Sequence, residues 1–181
     1  MILKGATDAF ESGWNRVKLY FMLGLPTETV EDMEGIALLS EKIAEAYYDI
    51  PKDRRNGKVQ IVASSSFFVP KPFTPFQWAR MCTKEEFIER ANIVRGKFRE
   101  MKNFKSLKYN WHEAELTVLE GRSLDEVFPW DFIDAGVSKE FLIREWNHAV
   151  KEEVTPNCRQ RCSGCGARDF GCGVCYETVK E

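Results

Sequence analysis

The sequence predicts an α/β fold in which parallel strands are joined by helices. The first observation is the apolar run VKLYFML at 17–23, which alternates little and suits a strand buried on both faces of a parallel sheet. The second is a helical pattern from Val30 to about Tyr48, and the third is another strand-like run from Val59 to Val69. This spacing predicts a βαβ unit with two adjacent parallel strands.

Local signals place the elements around the first strand. A helix is predicted from Ile2 to Ser12, with Gly13 just beyond its end. The sequence Gly24-Leu25-Pro26 ends the strand, and Thr29 caps the next helix with Asp32 three residues later. Ligands of α/β folds bind at the carboxyl ends of strands. This loop is therefore a candidate site, at which Gly24 lets the backbone approach a ligand.

The remaining elements follow in chain order. The second strand has a small-residue middle that lets either a ligand or a helix come close, and three prolines predict an extended segment over 70–76. Thr83 and Glu86 form a predicted capping box for a helix that runs to Lys102. A strand over 106–112, a short helix over 113–120, an irregular segment over 122–136 and a helix capped by Ser138 and running to Glu153 complete the prediction.

Composition and charge bound the class of protein. The chain has 181 residues, of which 44% are hydrophobic and 30% charged, as in a soluble globular domain. A net charge of −2 gives no electrostatic reason to expect nucleic acid or an anionic membrane as a partner. No apolar run is long enough to span a bilayer, and the N-terminus lacks the form of a signal peptide. We therefore expect a cytoplasmic protein.

Cysteines are concentrated at the end of the chain. Five of the six lie between Cys158 and Cys175, with spacings x3, x2, x6 and x2. Four thiolates can hold zinc or a [4Fe–4S] cluster, and the ligands alone do not decide between them. The x6 loop is shorter than the roughly 12–20 residues of a zinc ribbon, which favours a knuckle or an auxiliary iron–sulfur cluster. Free cysteines in a disordered tail are the alternative. Cys82, which stands apart, is interpreted as a small buried hydrophobe.

Several motifs resemble one enzyme family. The sequence LGLPTET at 23–29 resembles the fifth-strand signature of radical S-adenosylmethionine (SAM) enzymes, which commonly reads Gly-aliphatic-Pro-Gly-Glu-Thr; Thr27 stands where the second glycine is usual. The run 10–29 resembles a cobalamin-binding radical SAM family more closely. SSFFVPKPFTPFQW at 65–78 resembles the sixth strand and exit loop of that family. NWH at 110–112, the run 128–142 and TPNCR at 155–159 resemble its later motifs.

The resemblance implies that the chain is the C-terminal portion of such a protein. Its fold would be a partial (β/α) radical SAM barrel, comprising the last strands and helices, over 1–80. A last barrel helix and irregular connector over 81–135, and a helical, cysteine-rich extension over 136–181, would follow. The parent enzyme would use SAM, a [4Fe–4S] cluster and cobalamin, and the partner would be the rest of that protein. The implied SAM wall comprises Gly24, Leu25, Pro26, Glu28, Ser65, Ser66 and Phe67. The implied metal ligands are Cys158, Cys162, Cys165 and Cys175, with Cys172 spare.

Two departures from the family pattern limit what this chain does by itself. The catalytic Cys-x3-Cys-x2-Cys motif of the superfamily follows the first barrel strand, which this sequence does not contain. Cys158, Cys162 and Cys165 have the same spacing, but they lie in a tail at the wrong end of the chain for SAM cleavage. Several dozen residues usual between Gly121 and Arg122 are also missing, which indicates an internal deletion, an engineered truncation or a truncated gene model.

Two functions from different classes remain open at this stage. The first is a part of a radical SAM enzyme, inactive alone; the second is a small, non-catalytic metal-binding interaction module. Individual residues also keep two interpretations. Glu28 either accepts hydrogen bonds from cofactor hydroxyls or only favours the helix dipole. His112, near Glu113 and Glu115, is either a general base or a structural histidine.

Overall fold

The computed structural model describes residues 1–111 and 120–167. Within these residues the chain divides into two compact units. One comprises 1–68 and 82–111, and the other comprises 69–81 and 120–167. The segments proposed from the sequence, 1–80, 81–135 and 136–181, divide the chain differently and stay a prediction. Among the described helices, none combines the length and apolarity needed to cross a bilayer.

The first unit is built on a parallel three-stranded sheet. Helix α1 (Ile2–Glu11) precedes β1 (Arg16–Leu23), α2 (Val30–Tyr48) leads to β2 (Gln60–Phe67), and α3 (Lys84–Glu100) leads to β3 (Leu107–Trp111). The strand order is β1-β2-β3, and both pairings are parallel. The predicted α/β class and the predicted parallel pair are therefore confirmed. The predicted helix over 113–120 lies almost wholly outside the described residues.

Both helices between the strands begin as predicted. The Thr29 side chain accepts a hydrogen bond from the Asp32 backbone, and the Asp32 carboxylate accepts one from the Thr29 backbone. Thr83 and Glu86 form the same reciprocal box at the start of α3. Each box satisfies backbone donors that the first helical turn leaves without partners.

The three α-helices described in this unit contribute to one apolar core on one face of the sheet. Alternate strand residues point into that core: Val17, Leu19, Phe21, Leu23, Ile61, Ala63, Phe67, Leu107, Tyr109 and Trp111. They meet Phe10 of α1, Ile43 and Tyr47 of α2, and Phe87 and Val94 of α3. Because successive strand residues point to opposite faces, the remaining residues share the other face.

That other face, here called the open face, corrects the expectation for β1. It comprises Arg16, Lys18, Tyr20, Met22, Gln60, Val62, Ser64, Ser66, Lys108 and Asn110. Tyr20 is 73% exposed and Met22 is 52% exposed. The expectation that β1 is buried on both faces is therefore wrong for this structure, because among the described residues of this unit the helices cover only one side.

The second unit has its own small core. Trp78, Phe128 and Leu142 are buried together in it, and Leu142 belongs to α4 (Lys139–Val150), which Ser138 caps as predicted. A 3₁₀ turn over Pro75–Trp78 replaces the end of the extended segment predicted from the three prolines. The reason is that proline fits the first position of such a turn, where no N–H is needed. Residues 122–136 contain no helix or strand, as predicted.

Candidate functional site

The loop from β1 to α2 is folded tightly around the carboxylate of Glu28. The Gly24 N–H donates to Glu28 Oε2 at 2.9 Å, and Arg90 Nε lies 3.2 Å from the same oxygen. The Glu28 side chain is 6% exposed. Burial raises the pKa of Glu28, and the contacts with Gly24 and Arg90 oppose that rise. The carboxylate is therefore engaged inside its own loop, which favours a structural role for Glu28 over contact with cofactor hydroxyls.

Position 24 requires glycine for two reasons, which are its backbone conformation and the closeness of Cys82. Its φ of +85° lies in the left-handed region that favours glycine. A β-carbon at this position would also lie 2.4 Å from the Cys82 sulfur. Cys82 is buried, as interpreted from the sequence, and burial raises the pKa of its thiol. The glycine predicted to let a ligand approach thus makes room for the Cys82 side chain, which lies just before α3.

Thr27 has an unusual backbone for a β-branched residue. Its φ is +66°, a region that is unfavourable for threonine because Cβ approaches the following carbonyl oxygen. This is the position at which the resembling family usually carries glycine. Leu25 and Pro26, next to it, are half-buried, and the Glu28 N–H closes a turn on the Leu25 carbonyl at 3.3 Å.

The three wall residues proposed on β2 do not share a face. Ser66 is exposed on the open face, and its hydroxyl lies 3.5 Å from the Phe21 carbonyl oxygen. Ser65 is 1% exposed and points to the helix side. Phe67 stacks on Phe87 with ring centroids 3.8 Å apart. The strand period of two separates them, so of these three only Ser66 is presented to a ligand on the open face.

The described part of the cysteine segment is attached to the beginning of α4. The Ser138 N–H donates to the Cys165 carbonyl at 2.9 Å, and Arg144 donates to the Ser163 carbonyl. Gly164 has a φ of +67° and its N–H donates to the Cys162 sulfur at 3.4 Å. The first two contacts place Cys165 beside the beginning of α4, because the chain turns back along this helix after its end.

Only some of the proposed metal ligands lie among the described residues. Cys158 is exposed, and Cys162 and Cys165 are half-buried. No three His, Cys, Asp or Glu side chains are grouped as a metal site in residues 1–111 and 120–167. Cys172 and Cys175 lie outside the described residues, as do His112, Glu113 and Glu115. The four-cysteine site and the role of His112 stay predictions.

Sequence reasoning missed Gln77, which organises the loop of the second unit. Its Oε1 accepts hydrogen bonds from the Phe73 N–H at 3.1 Å and from Trp130 Nε1 at 3.2 Å. Phe73 has a φ of +57°, and Gln77 is buried. A polar residue between two aromatic residues, Phe76 and Trp78, is the only sequence signal for this buried role.

One curated relative matches about half of the chain. The chain is 37% identical over 99 residues to an uncharacterized protein of Methanocaldococcus jannaschii. The match covers 52% of this chain but 20% of that protein. The matched region is thus about a fifth of the relative's length. No protein-family model matches the chain. No solved structure matches it either.

Proposed function

We propose that this chain is the C-terminal part of a radical SAM enzyme of the cobalamin-binding kind. The observation that carries the proposal is the sheet, in which β1, β2 and β3 are parallel and lie in chain order with α1, α2 and α3 on one face. A (β/α) barrel keeps sequential strands and a single outer layer of helices. A doubly wound sheet reverses its strand order and carries helices on both faces. The strand order and the one-sided helix layer therefore support an arc of a barrel over a doubly wound sheet.

The β1–α2 loop supports the same proposal. Both Gly24 and Thr27 have left-handed backbones, and the resembling family signature has glycine at both corresponding positions. A loop with this shape keeps the backbone close to the carboxyl edge of the sheet, where barrel enzymes bind their ligands. We assign Gly24, Leu25, Pro26 and Ser66 to the SAM wall. Glu28, Ser65 and Phe67 support that wall from behind, through their contacts within the first unit.

The length of the curated relative favours a larger parent protein. In this proposal the remaining chain supplies the first half of the barrel, the cobalamin domain and the three-cysteine motif of the catalytic [4Fe–4S] cluster. The fragment alone is inactive, and its partner is that remaining chain. The bound cluster supplies the electron for reductive cleavage of SAM in the parent enzyme, and the chain described here contributes shape and backbone contacts.

The cysteine segment is proposed as an auxiliary metal site held by Cys158, Cys162, Cys165 and Cys175. The N–H of Gly164 aimed at the Cys162 sulfur fits a thiolate ligand, since hydrogen bonds to sulfur stabilise and tune such ligands. The anchoring of the loop on α4 fixes one side of the site. Zinc and an iron–sulfur cluster both fit this donor set.

Metal analysis tests the auxiliary site. After anaerobic purification, iron, sulfide and zinc are measured in the protein and in its Cys162→Ser and Cys172→Ser variants. The first variant is expected to lose the metal, and the second is expected to keep most of it. Full metal occupancy in the Cys162→Ser variant would overturn the assignment.

The sequence and the activity of the full-length parent protein distinguish the enzyme from a non-catalytic metal-binding module. The self-contained contacts between α4 and the cysteine loop favour the module as a second candidate. An upstream Cys-x3-Cys-x2-Cys in the same reading frame, together with SAM cleavage by the full-length reduced protein, is expected for the enzyme. The chain by itself should bind SAM weakly or not at all in calorimetry, because half of the barrel is missing. A full-length protein that holds metal but does not cleave SAM would favour the module.

A further inference from the structure

The open face carries positive charge although the chain as a whole is negative. Its ten residues include Arg16, Lys18 and Lys108 and no carboxylate, whereas the chain has a net charge of −2. The segregation leaves one face of the sheet with three cations. Like charges placed this close raise the local concentration of anions and favour an anionic ligand.

Two of these cations lie on β1 and β3, the strands on either side of the central strand β2. Lys18, Val62 and Lys108 form one row across the sheet, so the two lysine Cα atoms are about 10 Å apart, which is twice the strand spacing. Val62 is buried, and both lysines are exposed. Their flexible stems can bring both ammonium groups to one ligand placed over Val62.

The next rows add neutral hydrogen-bonding groups and an aromatic ring. Tyr20, Ser64 and Asn110 form the second row, and Ser66 lies in the third. Lys18 Nζ lies 4.8 Å from the centroid of the Tyr20 ring, which places the ring beside the charge. In the described part of the chain neither Lys18 nor Lys108 has a carboxylate partner, whereas Lys97 on α3 pairs with Glu34 and Glu100.

We propose that the open face binds a small anionic ligand, a phosphate or carboxylate group held between Lys18 and Lys108. The charge of the face selects the anion, and the row geometry gives it two ammonium groups at once. Ser64 and Asn110 offer hydrogen bonds to the rest of the molecule, and the Tyr20 ring offers an apolar surface. The inference rests on the proposed function in one respect only. If the chain is part of that enzyme, the anionic ligand is the enzyme's substrate.

Titration of the chain with two simple probes tests the proposal and separates the two sources of charge. Inorganic pyrophosphate represents phosphate ligands and succinate represents carboxylate ligands. Binding is followed by NMR shifts of the Ser64, Ser66 and Asn110 amides. We expect at least one probe to bind, with an affinity that falls as salt is raised from 50 to 300 mM, since exposed charges are screened on the order of 10 Å at 0.1 M.

Matched lysine variants locate the site. Lys18→Ala and Lys108→Ala are each expected to weaken binding about tenfold, as loss of one charge contact does. Lys105→Ala removes the same charge from an exposed turn outside the open face and is expected to change the affinity less than twofold. Equal weakening by all three variants, or no binding of either probe at millimolar concentration, overturns the inference.

The result is independent of the tests of the proposed function. Anion binding without SAM cleavage or metal in the full-length protein would leave an anion-binding sheet and remove the enzyme proposal. SAM cleavage by the full-length protein without anion binding at Lys18 and Lys108 would leave the enzyme and remove this inference.

Discussion

The sulfur of Cys82 occupies the space in which a side chain at position 24 would begin. A β-carbon on Gly24 would lie 2.4 Å from Cys82 Sγ and 3.2 Å from Cys82 Cβ. The end of β1 is thereby fitted against the residue that precedes α3. This contact joins two segments that are 58 positions apart in the sequence (82 − 24).

Gly24→Ala is expected to lower the free energy of unfolding by about 2–5 kcal/mol. An L residue at a φ of +85° costs about 1–2 kcal/mol, and overpacking against the cysteine adds about 1–3 kcal/mol. Urea denaturation of the purified variant measures the loss. Gly96→Ala is the matched control: Gly96 lies inside α3 with no atom near its added β-carbon, so this change should stabilise the protein by about 0.5–1 kcal/mol.

A double variant separates the two contributions. In Gly24→Ala with Cys82→Ala the sulfur is absent, so the overpacking part of the loss should disappear while the backbone part remains. The combined loss should therefore be smaller than the sum of the two single losses. Strict additivity would show that the cysteine contact does not limit position 24.

Thr27→Gly is expected to stabilise the chain by about 0.5–1 kcal/mol. The left-handed φ of +66° costs a non-glycine residue about 1–2 kcal/mol, and the extra freedom of glycine in the unfolded chain offsets about 0.5–1 kcal/mol of the gain. Thermal and urea unfolding measure it. Thr7→Gly in the middle of α1 serves as a control and should destabilise by a few tenths of a kcal/mol. A loss of stability in Thr27→Gly would contradict the strain argument.

Two carboxylates at the start of α2 should respond to pH in opposite directions. Burial raises the pKa of Glu28 above its ordinary 4.5. The folded state then binds its proton more tightly than the unfolded state, so the wild type should gain stability relative to Glu28→Gln as pH falls from 7 through the folded pKa to 4.5. Denaturation curves at a series of pH values for both proteins measure the difference.

The contribution of Asp32 to stability should change with pH in the opposite direction. Hydrogen bonds from the Thr29 backbone and hydroxyl lower the pKa of Asp32 below its ordinary 3.8. Its contribution is present above pH 3.8 and is lost as pH falls through the lowered folded pKa. The wild type should therefore lose its advantage over Asp32→Asn in acid. The same direction of change for both carboxylates would show that at least one of the two local environments is misassigned.

Gln77→Ala is expected to lower the free energy of unfolding by about 2–6 kcal/mol. The change removes the oxygen that accepts from both Phe73 N and Trp130 Nε1, and each donor left without a buried partner costs about 1–3 kcal/mol. Unfolding followed by tryptophan fluorescence measures the loss. Gln160→Ala in the exposed tail is the control and should lie within about 0.5 kcal/mol of the wild type. A similar small effect of both changes would show that the Gln77 contacts do not stabilise the second unit.

The sequence by itself determined the described α-helices and β-strands and the residues at which three of the helices begin. The caps at Thr29, Thr83 and Ser138 each act on a backbone donor three residues away, so they are readable from short motifs. The parallel pairing of β1 and β2 was predictable because a helix of nineteen residues separates them and antiparallel neighbours need only a short turn. The left-handed position at Thr27 is also local, since it belongs to the turn motif.

Only the tertiary structure decided which residues each face presents. Sequence reasoning placed Ser65, Ser66 and Phe67 on one wall, but the register with β1 and the packing of α3 turn Ser65 and Phe67 toward the core. Three contacts join residues that are 53–62 positions apart in the sequence. They are the ion pair of Glu28 with Arg90, the packing of Cys82 against Gly24 and the hydrogen bond from Trp130 to Gln77. Such contacts depend on how packed elements meet in space, and a one-residue change of strand register would reverse every one of the facing assignments.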